Sequence, residues 1–314
     1  MTSAPRFERI EQVVISHYGR GEYDRALAVL ERAGSQCAGQ WERIAYWRAC
    51  LLARRGLVEG AIDTLRQAVD AGAWWAPRLL ETEADLDPLW DSDGYRHLLT
   101  VMEDRRRRWA PAAAGVYLQG VAGGWPYVGL HGRNQIFEID AAHLADAMGK
   151  GWEVVLPESV QRIASDGPVW DDHGVARDQV MRLADSLFPD RRFTIGGFSQ
   201  GARRALQIGL ESGGRITGVL AVAPMLLRSR EIAEVIESMG HPPWPLVSLV
   251  TGGDDPAAEG AEAVAGHLRD EGVEVMKHVA PQTGHGWIDP PREILVALAQ
   301  RAGARRGDFS PPPR

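Results

Sequence analysis

Hydrophobic positions follow two different patterns along the chain, and the change between them falls near residue 110. From residue 6 to 108 the apolar residues recur at helical spacing, helix after helix. From about residue 115 onward, short apolar runs alternate with segments of helical spacing. A period near 3.6 residues indicates amphipathic helices, and runs alternating with helices indicate a mostly parallel sheet. The pattern predicts a helical domain over residues 1–110 and an α/β domain over 111–314.

Two helices of the N-terminal third share one pattern at an offset of 35 residues. The matching positions are Gly21, Ala26, Leu27, Leu30 and Ala33, which map onto Gly56, Ala61, Ile62, Leu65 and Ala68. This period and pattern resemble a tetratricopeptide repeat, in which helix pairs bury small residues at their crossing. Residues 86–107 would form a third, degenerate unit. Such an array either braces the rest of the chain or binds a protein or peptide partner, and Trp74, Trp75 and Trp90 would pack or line its groove.

The second part of the chain predicts a doubly wound sheet. Residues 109–114 form the linker, and the first two strands would pair as a hairpin through residues 120–126. We expect strands at 116–118, 127–130, 153–156, 193–196, 216–222, 245–250 and 273–279. We expect helices near 139–149, 175–188, 200–212, 229–239, 257–271 and 291–303. Alternation of this kind covers both faces of a parallel sheet with helices.

The strand at 193–196 leads into Gly197-Phe198-Ser199-Gln200-Gly201, and a helical segment follows. Strand, G-x-S-x-G and helix are the context of a nucleophile elbow, in which the serine lies at the tip of a tight turn. In a chain with 35 glycines the motif alone is a weak signal, and its flanking elements and downstream partners strengthen it. Ser199 is therefore the candidate nucleophile.

Further polar groups follow other predicted strands directly, where a doubly wound sheet assembles its site. His131-Gly132-Arg133 follows strand 127–130, Asp254-Asp255 follows strand 245–250, and Gly284-His285 follows the last strand. The order serine, acid, histidine is that of α/β-hydrolases. With these motifs, residues 115–303 resemble an α/β-hydrolase of the phospholipase/carboxylesterase group, which includes the acyl-protein thioesterases.

The resemblance implies a role for each of these residues. His285 would be the general base for Ser199, and Asp255 would orient it, with Asp254 as the alternative acid. The oxyanion hole would use the backbone N–H groups of Gln200 and Arg133. His131 would be a structural hydrogen-bonding residue.

The surroundings of this site are less specific. Trp170 and Trp287 would line the acyl pocket or pack in the core, and Asp171 and Asp172 would begin the next helix. Only residues 225–244 stand where related enzymes insert a cap. We therefore expect the helical domain to limit access to the site mouth, or else to pack elsewhere and face a partner.

Composition narrows the function classes. The net charge of −7 at pH 7 argues against nucleic-acid binding, and no apolar run is long enough to span a membrane. Residues 1–20 mix charges into every turn, unlike a secretory signal, so we expect a cytoplasmic protein with Cys37 and Cys50 as buried thiols.

The function expected from these features is a serine hydrolase of carboxylic esters or thioesters. Its substrate would be a small acyl compound, and no metal or organic cofactor is expected. Two alternatives stay open: a peptidase of the same fold, and a binding or scaffold protein that uses its helical repeats.

Overall fold

The computed structural model describes residues 3–34, 37–108, 115–120, 123–135, 143–144, 148, 151–226, 230–239 and 243–303. Its contacts divide the chain into two compact units. The helical unit comprises Met1–Ala112 and Arg162–Gly167, and the α/β unit comprises Ala113–Gln161 and Pro168–Arg314. The return of six residues from the second part of the chain to the first unit is a feature that the sequence did not predict. The predicted linker at 109–114 lies outside the described residues.

The helical unit is built from six α-helices and two short 3-10 helices in its described part. The α-helices are α1 (Ser3–Gly19), α2 (Tyr23–Gly34), α3 (Trp41–Arg54), α4 (Val58–Asp70), α5 (Pro77–Glu81) and α6 (Asp93–Arg108). The 3-10 helices are Ala38–Gln40 and Ala84–Leu89. Helix α1 packs on α2, and α3 packs on α4, so the predicted helix pairs are present. The assignment to the tetratricopeptide class stays a prediction.

Equivalent residues of the two pairs have equivalent roles. Ala26 and Ala61 are fully buried on the second helix of each pair, where a small side chain allows close approach. Gly21 and Gly56 both have positive φ, 70° and 74°, at the turn after the first helix of each pair. Glycine adopts this conformation without the steric penalty of a Cβ atom. The 35-residue pattern therefore records a repeated turn as well as a repeated core.

Residues 162–167 add a strand-like edge to the helical unit. Ala164 forms a β-bridge with Trp75, and the backbone N–H of Ala76 donates to Ile163 O at 2.7 Å. The Ser165 N–H donates to Trp74 O at 2.9 Å, while Ser165 Oγ accepts from the Trp74 N–H at 3.0 Å. This segment belongs to a small two-stranded ribbon of β4 (Gln161–Ala164) and β5 (Gly167–Val169).

The α/β unit contains a seven-stranded sheet in the order β1-β3-β2-β6-β7-β8-β9. Its strands are β1 (Val116–Gly120), β2 (Trp125–Leu130), β3 (Trp152–Pro157), β6 (Phe193–Phe198), β7 (Ile216–Val222), β8 (Leu246–Gly252) and β9 (Val275–Ala280). All neighbours run parallel except β1, which is antiparallel to β3. The predicted hairpin between the first two strands is wrong, because β3 lies between β1 and β2.

In the described part of the α/β unit, five helices have defined bounds and accompany the sheet. They are α7 (His173–Leu187), α8 (Gln200–Glu211), α9 (Arg230–Met239), α10 (Ala258–Asp270) and α11 (Arg292–Arg301). Of the helix predicted at 139–149, residues 143, 144 and 148 are described, and they are helical. The remainder lies outside the described residues.

The central strands are buried on both faces. In β7, Val219 and Ala221 pack into one apolar cluster, and Leu220 and Val222 pack into another. Successive side chains of a strand point to opposite faces, so a continuous apolar run is what a doubly covered parallel strand needs. This pattern made the strands readable from the sequence.

Candidate functional site

Ser199 lies between β6 and α8 in a strained turn. Its backbone has φ 54° and ψ −112°, a conformation that L-residues rarely adopt. The Ser199 N–H donates to Val222 O at 3.0 Å, and its carbonyl accepts from the N–H groups of Arg203 and Met225. These bonds hold the serine at the carboxyl end of β6, directly before the helix.

The flanking glycines are required by close backbone contact. A methyl group on Gly197 would lie 2.4 Å from Leu130 O, and one on Gly201 would lie 2.2 Å from the same oxygen. Both distances are far inside van der Waals contact, and the backbone carbonyl cannot move aside as a flexible side chain could. The G-x-S-x-G spacing therefore lets the elbow pack against the end of β2.

The structure brings Ser199, His285 and Asp255 together. Ser199 Oγ lies 2.9 Å from His285 Nε2, and His285 Nδ1 lies 2.8 Å from Asp255 Oδ2. Ser199 and Asp255 are buried, and His285 is partly buried. The three residues come from the end of β6 and from the loops after β8 and β9, so the carboxyl ends of three strands meet here.

The structure also distinguishes the two adjacent acids. Asp255 is 6% exposed, and its second oxygen, Oδ1, accepts from the Ala257 N–H at 2.8 Å. Asp254 is exposed, and its own backbone N–H donates to Thr283 O. The carboxylate that contacts the imidazole is that of Asp255.

Aromatic side chains stand beside the histidine. The Phe198 ring is 5.5 Å from the His285 ring and 6.0 Å from Trp287, measured between centroids. Trp287 stacks on His143 at 5.1 Å and donates from its indole to Asp289 at 3.0 Å. Trp287 is therefore partly exposed next to His285, as a residue at the rim of a substrate site would be.

The two expected oxyanion donors lie shortly after the ends of two neighbouring strands, Gln200 after β6 and Arg133 after β2. Gln200 is the first residue of α8, where backbone N–H groups have no partner within the helix. Arg133 follows β2 by three residues. Across the described ranges, no hydrogen bond within the chain uses the backbone N–H of either residue. Both groups are thus available to a negatively charged oxygen.

His131 holds backbone and aromatic groups in place. Its Nε2 accepts from the Ser159 N–H at 3.1 Å, so its Nδ1 carries the proton and donates to Gly132 O at 2.8 Å. The ring lies 4.9 Å from that of Trp170, and the side chain is buried. These contacts are structural, as expected from the sequence.

Trp170 packs in the core, which is one of the two places expected for it, and it does not form a pocket wall. It is fully buried, and its indole N–H donates to His131 O at 3.0 Å. The expectation that Asp171 helps to begin a helix is wrong. Asp172 alone caps α7, by accepting from the Val175 N–H at 2.9 Å, and Asp171 instead bonds to Gln200 and Arg133.

A buried cation that the sequence analysis missed supports this loop. The Arg204 guanidinium donates to Trp170 O at 2.7 Å, to Asp171 O, and to Gln207 Oε1 at 2.7 Å. Burial lowers the pKa of Arg204. The spacing of Arg204, five residues after the serine, carries no motif, so only the folded chain reveals its partners.

The described residues also bear on two other kinds of site, a metal centre and a membrane-spanning helix. No group of three or more His, Cys, Asp or Glu side chains converges there in a way that could hold a metal ion. None of the helices described has the length and apolar content needed to cross a bilayer. Cys37 and Cys50 are both buried and form no disulfide.

Comparison with known proteins gives matches to both parts of the chain. Residues 7–110 match the family model described as A/B hydrolase-like, N-terminal domain. Acyl-protein thioesterase 1 of Neurospora crassa is 30% identical over 79 residues, which are 25% of this chain and 32% of the relative. Acyl-protein thioesterase 1 of Gibberella zeae is 29% identical over 124 residues, which are 39% of this chain and 53% of the relative.

The chain thus spans about a third and about half of the lengths of these two relatives. Among solved structures, an uncharacterized protein from Bacillus cereus has a TM-score of 0.47 and 21% identity. That match covers 94% of this chain and 97% of the other. The chain thus has a helical N-terminal region that matches the A/B hydrolase-like N-terminal family model, followed by a mostly parallel sheet with accompanying helices.

Proposed function

We propose that this protein is a serine hydrolase that cleaves carboxylic esters or thioesters through an acyl-enzyme. The observation that carries the proposal is the chain of contacts from Ser199 Oγ through His285 to the Asp255 carboxylate. A serine hydroxyl is a weak nucleophile until a base takes its proton. A histidine within hydrogen-bond distance, itself oriented by a carboxylate, meets that requirement.

The reaction starts with the proton of Ser199. His285 Nε2 takes this proton as Ser199 Oγ attacks the acyl carbonyl, and the imidazolium is stabilised by Asp255 through Nδ1–H. His285 then donates the proton to the leaving alcohol or thiol, which leaves the acyl group on Ser199. In the second half His285 activates a water molecule, and hydrolysis of the acyl-enzyme restores the serine.

The backbone N–H groups of Arg133 and Gln200 stabilise the oxyanion of each tetrahedral intermediate. Removal of one such donor in serine proteases costs about 2.7–4 kcal/mol of transition-state stabilisation. The partial positive charge at the start of α8 adds to this effect at Gln200.

An ester or thioester is favoured over a peptide as the substrate. The curated relatives are acyl-protein thioesterases, although each match covers only part of their length. Trp287 and Phe198 offer apolar surface beside His285 for the acyl group. A peptidase of the same fold would hydrolyse an amide as well, so activity against matched p-nitrophenyl ester and p-nitroanilide substrates separates the two functions.

The decisive experiment combines labelling with turnover. Wild-type protein should react covalently with a fluorophosphonate probe and hydrolyse p-nitrophenyl esters. Ser199→Ala should lose both, because Ser199 is the serine whose Oγ lies 2.9 Å from His285 Nε2 in the described chain. Ser238→Ala, at an exposed serine on α9, is the matched control and should label normally.

Retention of more than a small fraction of turnover in Ser199→Ala, with an unchanged circular dichroism spectrum, would assign the nucleophile to another residue. Absence of both labelling and turnover in the wild type would instead favour a binding or scaffold protein. In that case the helical unit would be the candidate site for a protein or peptide partner.

A further inference from the structure

Asp171 connects the two residues whose backbone N–H groups are proposed to form the oxyanion hole. Its Oδ1 accepts from Gln200 Nε2 at 2.7 Å and from Arg133 Nη1. Gln200 begins α8, and Arg133 lies in the loop after β2, so these two residues are far apart in sequence. One carboxylate oxygen thus ties together the two segments that must keep a fixed separation.

We propose that Asp171 is a positioning residue that sets the spacing of the two oxyanion donors. This inference rests on the proposed function, because it assigns Asp171 a part in the same site. Both bonds are made by the side chains of Gln200 and Arg133 and leave their backbone N–H groups unused. Each bond fixes a residue whose backbone N–H must point at the developing negative charge, and such donors act only when they are held in place beforehand.

The rest of the Asp171 loop is anchored independently. The Trp170 N–H donates to Gln200 Oε1 at 2.9 Å, so the Gln200 amide contacts this loop through both of its polar atoms. The Asn134 N–H donates to Pro168 O at 2.9 Å, which fixes the loop that carries Arg133. The loop therefore keeps its fold when the Asp171 side chain is shortened, and the opening of these two bonds reports how rigidly it is held.

Asp171 is also suited to substitution. Its side chain is 47% exposed, so its removal leaves no cavity in the core. An exposed ion pair of this kind contributes about 0–1 kcal/mol to stability. An effect on catalysis can therefore be separated from an effect on folding.

The test compares three variants at neutral pH with a p-nitrophenyl ester. Asp171→Ala should lower kcat between about tenfold and hundredfold, less than the roughly 10²–10³ lost when an oxyanion donor is removed outright. KM should stay within about twofold, because the oxyanion donors act mainly on the charge that develops in the transition state. The affinity for a trifluoromethyl ketone, which mimics the tetrahedral intermediate, should fall in parallel with kcat/KM.

Two further variants serve as references. Asp171→Asn keeps an acceptor oxygen and should lose less than about threefold in kcat, since only the charge of an exposed pair is removed. Asp178→Ala removes an exposed carboxylate on α7, in the same part of the chain, and should match the wild type. If Asp171→Ala and Asp178→Ala have equal kcat values, the proposal is wrong.

A double-mutant cycle tests the route of the effect. Asp171→Ala and Arg133→Ala should be strongly non-additive in kcat, because each removes the same side-chain bond and leaves the Arg133 backbone N–H in the chain. The cycle of Asp171→Ala with Gln200→Ala should behave in the same way. Additive losses in both cycles would show that Asp171 acts through neither residue.

Hydrogen exchange gives a readout that does not depend on turnover. The Asn134 and Trp170 amides report on the bonds to Pro168 and Gln200, and both should exchange about tenfold faster in Asp171→Ala than in the wild type. Asp171→Asn should exchange at the wild-type rate. An unchanged exchange rate in Asp171→Ala overturns the positioning role, whereas a wild type without labelling or turnover overturns the proposed function.

Discussion

Both units of this protein contain buried carboxylic side chains, but the surroundings of these side chains differ. In the α/β unit, Asp255 is buried and receives an N–H group at each oxygen, from Ala257 and from His285. In the helical unit, Glu42 and Asp166 face one another, and burial raises the pKa of both groups. The first carboxylate is surrounded by donors, whereas in the second pair burial disfavours the ionised form of both groups.

The contacts of the two carboxyl groups favour a proton on Glu42 over a proton on Asp166. The positive charges of Arg43 and Arg162 lower the pKa of Asp166, and a hydrogen bond from Glu42 lowers it further. The same contact raises the pKa of Glu42, although Ser165 Oγ also donates to it. These opposite directions make Glu42 the donor of the contact and Asp166 its acceptor.

The two cases differ in how many hydrogen-bond donors surround the buried carboxyl group. A buried carboxylate supplied with donors keeps its charge and can orient a catalytic imidazole. A buried pair without enough donors keeps a proton instead, which makes stability depend on pH.

Asp255→Asn should lower kcat by about 10⁴, by analogy with the same change in serine proteases. The introduced amide would keep its oxygen toward the Ala257 N–H, so its NH₂ group would face His285 Nδ1. That nitrogen would then have to accept, the proton would move to Nε2, and the imidazole could no longer take the Ser199 proton.

Asp254→Asn is the matched control for this variant, and ester turnover measured on both proteins is the test. Asp254 is exposed, and the imidazole is contacted by its neighbour, so this variant should stay within about twofold of the wild type. A larger loss in Asp254→Asn than in Asp255→Asn would transfer the orienting role to Asp254.

The sequence predicts the cluster of Ser199, His285 and Asp255 better than it predicts the pair of Glu42 and Asp166. Gly197, Ser199 and Gly201 form a local motif between a strand and a helix, and steric limits at the elbow restrict the residues that fit there. His285 follows its strand through a loop, and the order serine, acid, histidine is the basis for predicting its role. These signals are short-range or ordered along the chain, so they can be read without tertiary contacts.

The contacts that the sequence did not predict are long-range. Asp166 meets Glu42 because residues 162–167 join the helical unit, and no periodicity marks that excursion. The β1–β2 hairpin was wrong because nearness in sequence favoured it, whereas β3 supplies the partner edge. The sequence leaves Trp170 either at a pocket or in the core, because a loop aromatic has the same pattern in both places and its burial depends on the fold.

Asp166→Asn should destabilise the protein by about 1.5–3 kcal/mol at pH 7, the usual contribution of a hydrogen bond to a charged group. Asparagine can still accept from Glu42, but the charge facing Arg43 and Arg162 is lost. Denaturant unfolding measures the effect, with Asp178→Asn as the control at an exposed site. Equal stability of Asp166→Asn and the wild type would mean that Asp166 is not the ionised partner.

Glu42→Gln should change the free energy of unfolding least at acidic pH. At higher pH it should leave the protein as stable as the wild type or more stable, unlike Asp166→Asn, which destabilises it. Because the folded-state pKa of Glu42 is raised, the folded protein holds a proton that the unfolded chain releases at its ordinary pKa. Wild-type stability should therefore fall as the pH rises from about 4.5 through the raised pKa of Glu42. Glutamine donates to Asp166 without needing a proton, so this part of the slope should disappear, and the variant should match or exceed the wild type above that pH.

Unfolding free energies at pH 4.5, 6 and 8 measure the difference in slope, and Glu259→Gln, at a glutamate of the first turn of α10, is the control. Parallel slopes for Glu42→Gln and the wild type would show that Glu42 does not hold the shared proton.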